Sequence, residues 1–555
     1  MLLFLNISLY EKFIKKVLWI FVWLSILLTL FSIVRFFELG IAGRTTSFGY
    51  NSPCRIPVFL MLKDIGIFIS GSVVFEFLNE ANIYMKNIKI IIALFFFSIL
   101  LYILILFYFL SLIDIQGILI LIIVIFGIWP IIHSFITGSR DSLSPKVLLP
   151  FTYTLYALGP LSLSADFSQD VVIHYLFLQL VGMLSLHFGL YFGIKNLDIH
   201  TTTRLNINKS KKVYLLITIL GLIVLSVPSL LTQFSAFGGF SNLISVGYGG
   251  KRYQVLSSSF VFGTGFEWLL LGSIIMIFYG LKYNSRKCLY GGTFLYLAIA
   301  YILLLIGGRS TLVYTVLFGT ILIHYGYRKI PSRFIILGMV VGIVFAQYYS
   351  LARYFLPNGL WYAISQTWNI VVQNPSLLLP LSVNEFVQPG ASLLEILQNG
   401  DIRFVFGRSY ISTIGAPIPF ISRLFAQAGF DPSLWRLQTF HSDILASGGG
   451  LGFSPVSEGY INFGILGIIV NLFIYGYIPG MVYKRFLSKK GVGSLLFFAG
   501  TLPIFMLDGM RIHSASFVYK WTRSYLMPWL IFVVIYNCLN REQISQVAKE
   551  VKDHE

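Results

Sequence analysis

Residues 353–455 carry five arginines (Arg353, Arg403, Arg408, Arg423 and Arg436), and no lysine occurs between Lys329 and Lys484. A guanidinium presents a planar fork of donors that matches a carboxylate or a phosphate, whereas an ammonium is a point charge. Arginine without lysine therefore points to an anionic ligand. Glu385, Glu395, Asp401, Asp431 and Asp443 equal the arginines in number. An ion pair within the chain accounts equally well for any single arginine, but the set as a whole favours a ligand. Arg309 stands apart, in Gly307-Gly308-Arg309-Ser310 between two apolar runs. A charge near membrane depth is costly and marks a functional site unless it merely snorkels to the interface. Glycines beside it let the backbone approach a ligand closely. Lys251-Arg252, after Gly249-Gly250, is a further basic spot, read equally well as a phosphate contact or a solvated pair.

A second constellation is suited to moving a proton. His441-Ser442-Asp443 precedes Gly448-Gly449-Gly450-Leu451-Gly452, then Ser454, Glu458, Tyr460 and Asn462. The glycine run makes a ligand-hugging turn before an apolar run. A His, Asp or Glu placed there accepts a proton from an attacking hydroxyl if its pKa suits the task. The plain readings are a hydrogen-bonded loop histidine and a glutamate favoured by a helix N-terminus. Nucleophile-elbow, P-loop, HExxH and Asp-x-Asp patterns do not occur. Cys54, Cys288 and Cys538 have neither CxxC nor Cys/His ligand spacing, which argues against a disulfide framework or a zinc site.

These residues must be positioned by elements of unusual composition. Of 555 residues, 57% are hydrophobic and 11% charged, against about 25% charged in soluble domains. Only lipid accepts that much apolar surface, so the chain is expected to be an all-α polytopic integral membrane protein, with 1–555 as one membrane domain. A span takes about 20 apolar residues. Fourteen runs qualify: 17–37, 56–79, 88–110, 114–136, 147–165, 171–194, 213–234, 263–281, 289–306, 310–326, 334–352, 459–482, 491–508 and 523–540. They show no strand alternation, which argues against a barrel. The first is read as a retained helix rather than a cleaved signal. The net charge of +18 is mainly topological and does not point to nucleic acid. The Lys/Arg-rich connections 195–212, 282–288, 327–333 and 483–490 fall on one side, the cytoplasm, together with both termini and the charged tail 541–555. The large loop 353–455 then faces outward, as do Arg252 and Arg309. Its amphipathic pieces around 361–372 and 392–398 are expected to pack on the membrane surface.

The stretch from Ser454 to Gly467 resembles the E-x-Y-x-N-F-G-x-x-G signature of Wzy-type O-antigen (oligosaccharide repeat-unit) polymerases. Phe406-Gly407-Arg408-Ser409-Tyr410, followed by Pro417-Ile418-Pro419, is similar to the G-x-S-Y and I-P pattern of that family's large periplasmic loop. Gly307-Gly308-Arg309-Ser310 resembles its short G-x-R turn. The resemblance covers roughly residues 263–485.

That resemblance implies a C-type glycosyltransferase of the bacterial inner membrane, working on its periplasmic face without metal, nucleotide or other cofactor. Its substrates would be two undecaprenyl-pyrophosphate-linked oligosaccharides, donor and acceptor, and a chain-length regulator would be a partner. Arg309, Arg403 and Arg408 would hold the pyrophosphate, with Arg353, Arg423 and Arg252 in support. Glu458 or His441 would be the base, with Asp443 orienting or substituting. Tyr410, Tyr460 and Asn462 would contact sugar. An O-antigen ligase and a lipid-linked oligosaccharide flippase or other transporter are the rival readings.

Overall fold

The computed structural model describes residues 114–137, 141–195, 212–236, 265–305, 309–352, 354–378, 384–400, 404–415, a few positions from 421 to 428, and 452–536. The helices are α1 (Ile115–Thr137), α2 (Pro145–Leu158, prolonged by a 3-10 turn Gly159–Asp166), α3 (Gln169–Ile194), α4 (Lys212–Ala236), α5 (Gly265–Tyr283), α6 (Arg286–Leu305), α7 (Arg309–Gly326) and α8 (Ser332–Ala352). They continue with α9 (Leu360–Gln373), α10 (Asn384–Asn399), α11 (Arg408–Gly415), α12 (Pro455–Lys489), α13 (Val492–Arg511) and α14 (Ser514–Trp521). Helix continues beyond α14 through a π turn, Thr522–Leu526, to residue 536. The chain divides between Ile118 and Leu119, so that all but the first turn of α1 belongs, with the other helices, to the unit Leu119–Glu555. No strand occurs among the described residues.

Nine helices among the described residues are long and apolar enough to cross a membrane. The runs 17–37, 56–79 and 88–110 lie outside the described residues. The other eleven expected runs meet helices, with differences in three places. The run 310–326 makes a shorter apolar helix. The outward loop expected at 509–522 is absent: α13 continues to Arg511 and α14 starts at Ser514, so only Ile512-His513 join them. His513 makes that sharp turn possible, because its Nδ1 accepts from the Ser516 amide as a helix cap. Phe517 then packs on Phe505 and Tyr475. The third difference is a break in α12, around which the polar site is built.

Away from their ends, α4, α6 and α8 expose large apolar side chains, among them Leu220, Val224, Phe294, Leu297, Leu337 and Val341. Such faces call for lipid rather than water. The basic connections share one end of the bundle. There Lys484 Nζ donates to the Lys195 carbonyl, Lys282 Nζ donates to the Gly326 carbonyl, and Lys212 lies over the Tyr283 ring. Asp141, beside α2, is clamped at the same end by the hydroxyls of Tyr325 on α7 and Tyr483 on α12. Burial pushes its carboxyl above the usual range, against the pull of the two phenols and Lys329.

The tightest packing is between α3 and α12. A Cβ on Gly189 would lie 2.1 Å from the Phe473 carbonyl oxygen, and one on Gly193 2.5 Å from that of Tyr477. In return, a Cβ on Gly476 would lie 2.2 Å from the Leu186 carbonyl oxygen. The numbers rise together, so the two helices run parallel. Gly189-x-x-x-Gly193 and Gly476-x-x-x-Gly480 face each other as small-residue motifs. In a membrane, where helices gain no hydrophobic force from each other, such surfaces let backbones meet.

The two amphipathic loop pieces behave differently from each other. On α9, Trp361, Ile364, Trp368 and Val372 stay exposed while Ala363, Thr367 and Val371 are buried. The other piece does not lie on the surface: α10 buries Phe386, Val387, Leu393, Leu394 and Ile396. Its Gly390 fits against Pro160 and the Tyr175 hydroxyl, where a Cβ would clash.

Gly476→Leu should lower the stability of the detergent-solubilised protein by roughly 1–3 kcal/mol or more, the usual penalty of overpacking. Gly342→Leu, where a Cβ would meet nothing within 4 Å, should leave it unchanged. Thermal unfolding followed by size-exclusion fluorescence compares the two; equal melting would refute the close α3–α12 contact.

Candidate functional site

Within α12, Phe463 (φ −142°, ψ 25°) and Gly464 (φ 61°, ψ −140°) leave the helical region. Asn471 Nδ2 donates to the Pro455 carbonyl at 2.8 Å. In a straight helix those residues would lie about 24 Å apart. The 455–462 arm therefore folds back along the 465–489 arm. The run expected as one span at 459–482 is thus a hairpin, and the 465–489 arm, about 37 Å long, is sufficient to span alone. The reversal depends on glycine twice. Gly464 adopts a positive φ that side chains resist. Gly459 and Gly467 touch where the arms meet, so that a Cβ on Gly467 would lie 2.0 Å from the Gly459 carbonyl oxygen.

The folded-back arm carries its polar side chains inward. Asn462, with no exposure, donates from Nδ2 to Ser409 Oγ (2.8 Å) and to the Glu458 carbonyl (2.7 Å), and its Oδ1 accepts from the Gly407 amide (2.9 Å). The Val405 amide donates to the Ile461 carbonyl. Two successive left-handed residues, Phe406 (φ 44°) and Gly407 (φ 82°), then turn the chain into α11. The segment 405–412 is thereby pinned to the arm, fifty residues away in sequence.

Glu458 is also fully buried. Its Oε2 accepts from the Ser514 amide and its Oε1 from the Ser514 hydroxyl, both at 2.7 Å, and Ser409 bonds to it as well. Ser514 Oγ lies 2.6 Å from Thr413 Oγ1. Tyr410 and Tyr475 approach the same carboxylate, and neither hydroxyl has a hydrogen-bond partner. Burial, with Glu458 nearby, pushes the Tyr410 phenol above its ordinary value, so it is a proton donor at neutral pH.

Beside this cluster, Asp508 on α13 meets Arg511 Nε at 2.8 Å and Lys520 Nζ at 2.6 Å. Tyr314 of α7 lies beside the same carboxylate, and Lys520 lies 4.3 Å over the Tyr314 ring. The Phe453 amide donates to the Arg511 carbonyl and the Ser454 amide to the Pro389 carbonyl, which pins the start of the arm.

The structure thus brings together Tyr410, Glu458 and Asn462 from the sequence reading. Arg408 is exposed in the first turn of α11, two residues from Tyr410. Tyr460 lies apart from that cluster, edge-on to His174 at 6.1 Å. Arg309 begins α7, five residues before Tyr314. Arg252, Arg353, Arg403, Arg423, His441 and Asp443 lie outside the described residues. Sequence reading gives no role to Ser409, which it meets only within a motif, and passes over Ser514, Asp508, Arg511 and Lys520. Asp508 has a signal: a lone carboxylate in an apolar run, with a cation three residues on. Among the described residues no three His, Cys, Asp or Glu side chains group as metal ligands. Compared with protein-family models, characterised proteins and solved structures, the chain matches none.

Asn462→Ala strands the Gly407 amide, and Glu458→Gln turns an amide donor toward a Ser514 donor. Each should cost about 1–3 kcal/mol, the usual penalty for an unsatisfied buried group. Limited proteolysis should then cut within 404–415 in Asn462→Ala faster than in the unaltered protein. Equal cutting would mean that Asn462 does not hold that segment.

Proposed function

We propose that this chain is a glycosyltransferase that polymerises lipid-pyrophosphate-linked oligosaccharide repeat units at the Glu458 end of the bundle. One observation carries the reading. The two stretches that resemble the Wzy-type pattern, 406–410 and 454–467, are hydrogen-bonded to each other through Asn462 around a common buried polar cluster. The third stretch, at Arg309, opens α7, the helix that meets Asp508 through Tyr314. The basic connections gather at the opposite end, which is read as cytoplasmic. The site then faces the periplasmic side of a bacterial inner membrane.

In this reaction an acceptor-sugar hydroxyl attacks the anomeric carbon of the donor. The bond from that carbon to the pyrophosphate oxygen breaks, and the hydroxyl proton passes to a base. Negative charge grows on the leaving pyrophosphate, so pre-positioned guanidinium groups lower the barrier. Arg309 and Arg408 fill that role, with Arg403, Arg353, Arg423 and Arg252 as further candidates. Glu458 is wholly buried and both its oxygens accept from Ser514, so it suits positioning better than proton transfer. The base is therefore assigned to His441, oriented by Asp443. Tyr410 is the candidate for the sugar side, while Asn462, wholly buried and bonded to Gly407, Ser409 and the Glu458 carbonyl, holds the segment in place.

Purified protein given lipid-linked repeat units, without nucleotide or metal, should lengthen them; a product of one repeat at every enzyme concentration would refute the activity. Arg309→Ala and Arg408→Ala should leave the protein in the membrane and end long-chain synthesis. In a producing strain, deletion should leave single repeats attached to lipid. Complete loss of attachment would favour a ligase, and substrate trapped inside a flippase.

His441 must be neutral to take the proton. His441→Ala should therefore abolish chain lengthening without loss of folded protein. Unchanged lengthening in that variant would return the base role to a carboxylate.

A further inference from the structure

At about 3.6 residues per turn, the side chains of α9 fall into three sectors. Ala363, Thr367 and Val371 form the first, and all are buried. Ala363 packs on Tyr349 and Ala352 of α8, and the Tyr348 hydroxyl donates to the Ile364 carbonyl at 2.6 Å. Trp361, Ile364, Trp368 and Val372 form the second, with Trp361 82% and Trp368 60% exposed. Tyr362, Ser365, Asn369 and Gln373 form the third, polar and exposed. A surface helix in water buries its large apolar residues and keeps its polar ones outside. In α9 Ala363 and Thr367 face inward and both tryptophans face outward. That is the habit of helices surrounded by lipid, which meet each other through small residues.

The level of α9 follows from its neighbours. α8 leaves the basic connection 327–333 at Ser332 and ends at Ala352, roughly 30 Å along its axis, about the thickness of the hydrocarbon core. The Tyr349 hydroxyl ties that end to the Leu304 carbonyl, at the end of α6 away from the basic connection 282–288. α9 then begins at Leu360. Tyr354, Trp361, Tyr362 and Trp368 are exposed together there. Such rings collect at the membrane–water boundary, because one end is apolar and the other polar. No residue from 354 to 384 is charged. α8, on which α9 packs, itself exposes Val341, Val344 and Phe345, an apolar surface with the same need for lipid.

We infer that α9 lies in the plane of the leaflet opposite the basic connections, at the boundary between headgroups and acyl chains. Its tryptophan stripe is immersed among lipids, and Ser365, Asn369 and Gln373 point to water. The partner of this face is a phospholipid monolayer. The attachment is apolar: with no cation in the segment, it neither selects anionic headgroups nor weakens with salt. The helix is held on two sides, by α8 and by lipid, and this placement holds whatever reaction the protein catalyses.

The test uses full-length protein in nanodiscs of phosphatidylcholine brominated either near the glycerol or near the end of the acyl chain. The emission of Trp361 and Trp368 is the difference between the unaltered protein and Trp361→Phe/Trp368→Phe. It should be quenched strongly by the shallow bromines, weakly by the deep ones and little by aqueous iodide. Added anionic lipid or salt should leave the quenching unchanged. Quenching by iodide and not by lipid would put α9 in water. Quenching by neither would mean that protein, such as a second copy, covers the face. Stronger quenching by the deep bromines would mean a segment that dips into the bilayer. Each of these overturns the placement, as does quenching that requires anionic lipid. Should the double variant fold poorly, the unaltered protein carries the test. A phospholipid with a photoreactive diazirine high in its acyl chain should label peptides of both α8 and α9, and label on α8 alone would overturn the placement.

Discussion

Everything at the Glu458 end depends on one backbone contact, Gly459 against Gly467. Their touching lets the 455–462 arm lie along the 465–489 arm. Without it, α12 would run straight, and Glu458 and Asn462 would stand clear of α11 and α14. Non-helical backbone among membrane helices is tolerated only where its polar groups find partners in the protein. Here the Pro455 carbonyl takes the Asn471 amide, and the Phe453 and Ser454 amides find the Arg511 and Pro389 carbonyls. The turn and its hydrogen bonds are one unit, since either would be costly without the other.

That unit explains how a chain so poor in charge builds a polar site. Glu458 and Asp508 are both fully buried, and each is handled differently. Glu458 is met by a helix N-terminus and a hydroxyl, and Asp508 by two cations and a phenol. Removing a partner leaves an uncompensated buried group, which costs more than the pair contributes in place. The two carboxylates are therefore structural anchors, and what they hold is Ser514 and Ser409 in one case and Arg511 and Lys520 in the other. The α3–α12 glycine contact supplies the rigid wall behind them, and the Asp141 clamp ties α7 and α12 at the opposite end.

Much of the architecture is legible in composition. Apolar run length is a local property, and each run within the described residues meets helix, most with ends a few residues from those expected; 459–482 belongs to a hairpin, and 523–540 continues a helix that starts at Ser514. The Lys/Arg-rich connections share one end because charge is excluded from lipid wherever it occurs in the chain. The all-α class and the membrane habit follow from the same local sums. The motif 454–467 is visible as a string, as are Tyr410, Glu458 and Asn462 as polar positions beside apolar ones.

What the sequence does not decide is direction and partnership. A hydropathy sum does not distinguish a straight span from a hairpin, so the reversal at Phe463-Gly464 cannot be read from it although the glycines are in view. Nor does it say that α10 turns inward while α9 keeps its tryptophans outside, because that choice lies in Gly390 meeting Pro160 and Tyr175. Arg511 and Lys520 escape a sequence reading because a short polar stretch after a span looks like solvated loop. Only the return of α14 against α13 gives them a common carboxylate. Local chemistry decides which segments leave water, and contacts between distant residues decide which atoms face one another once they have.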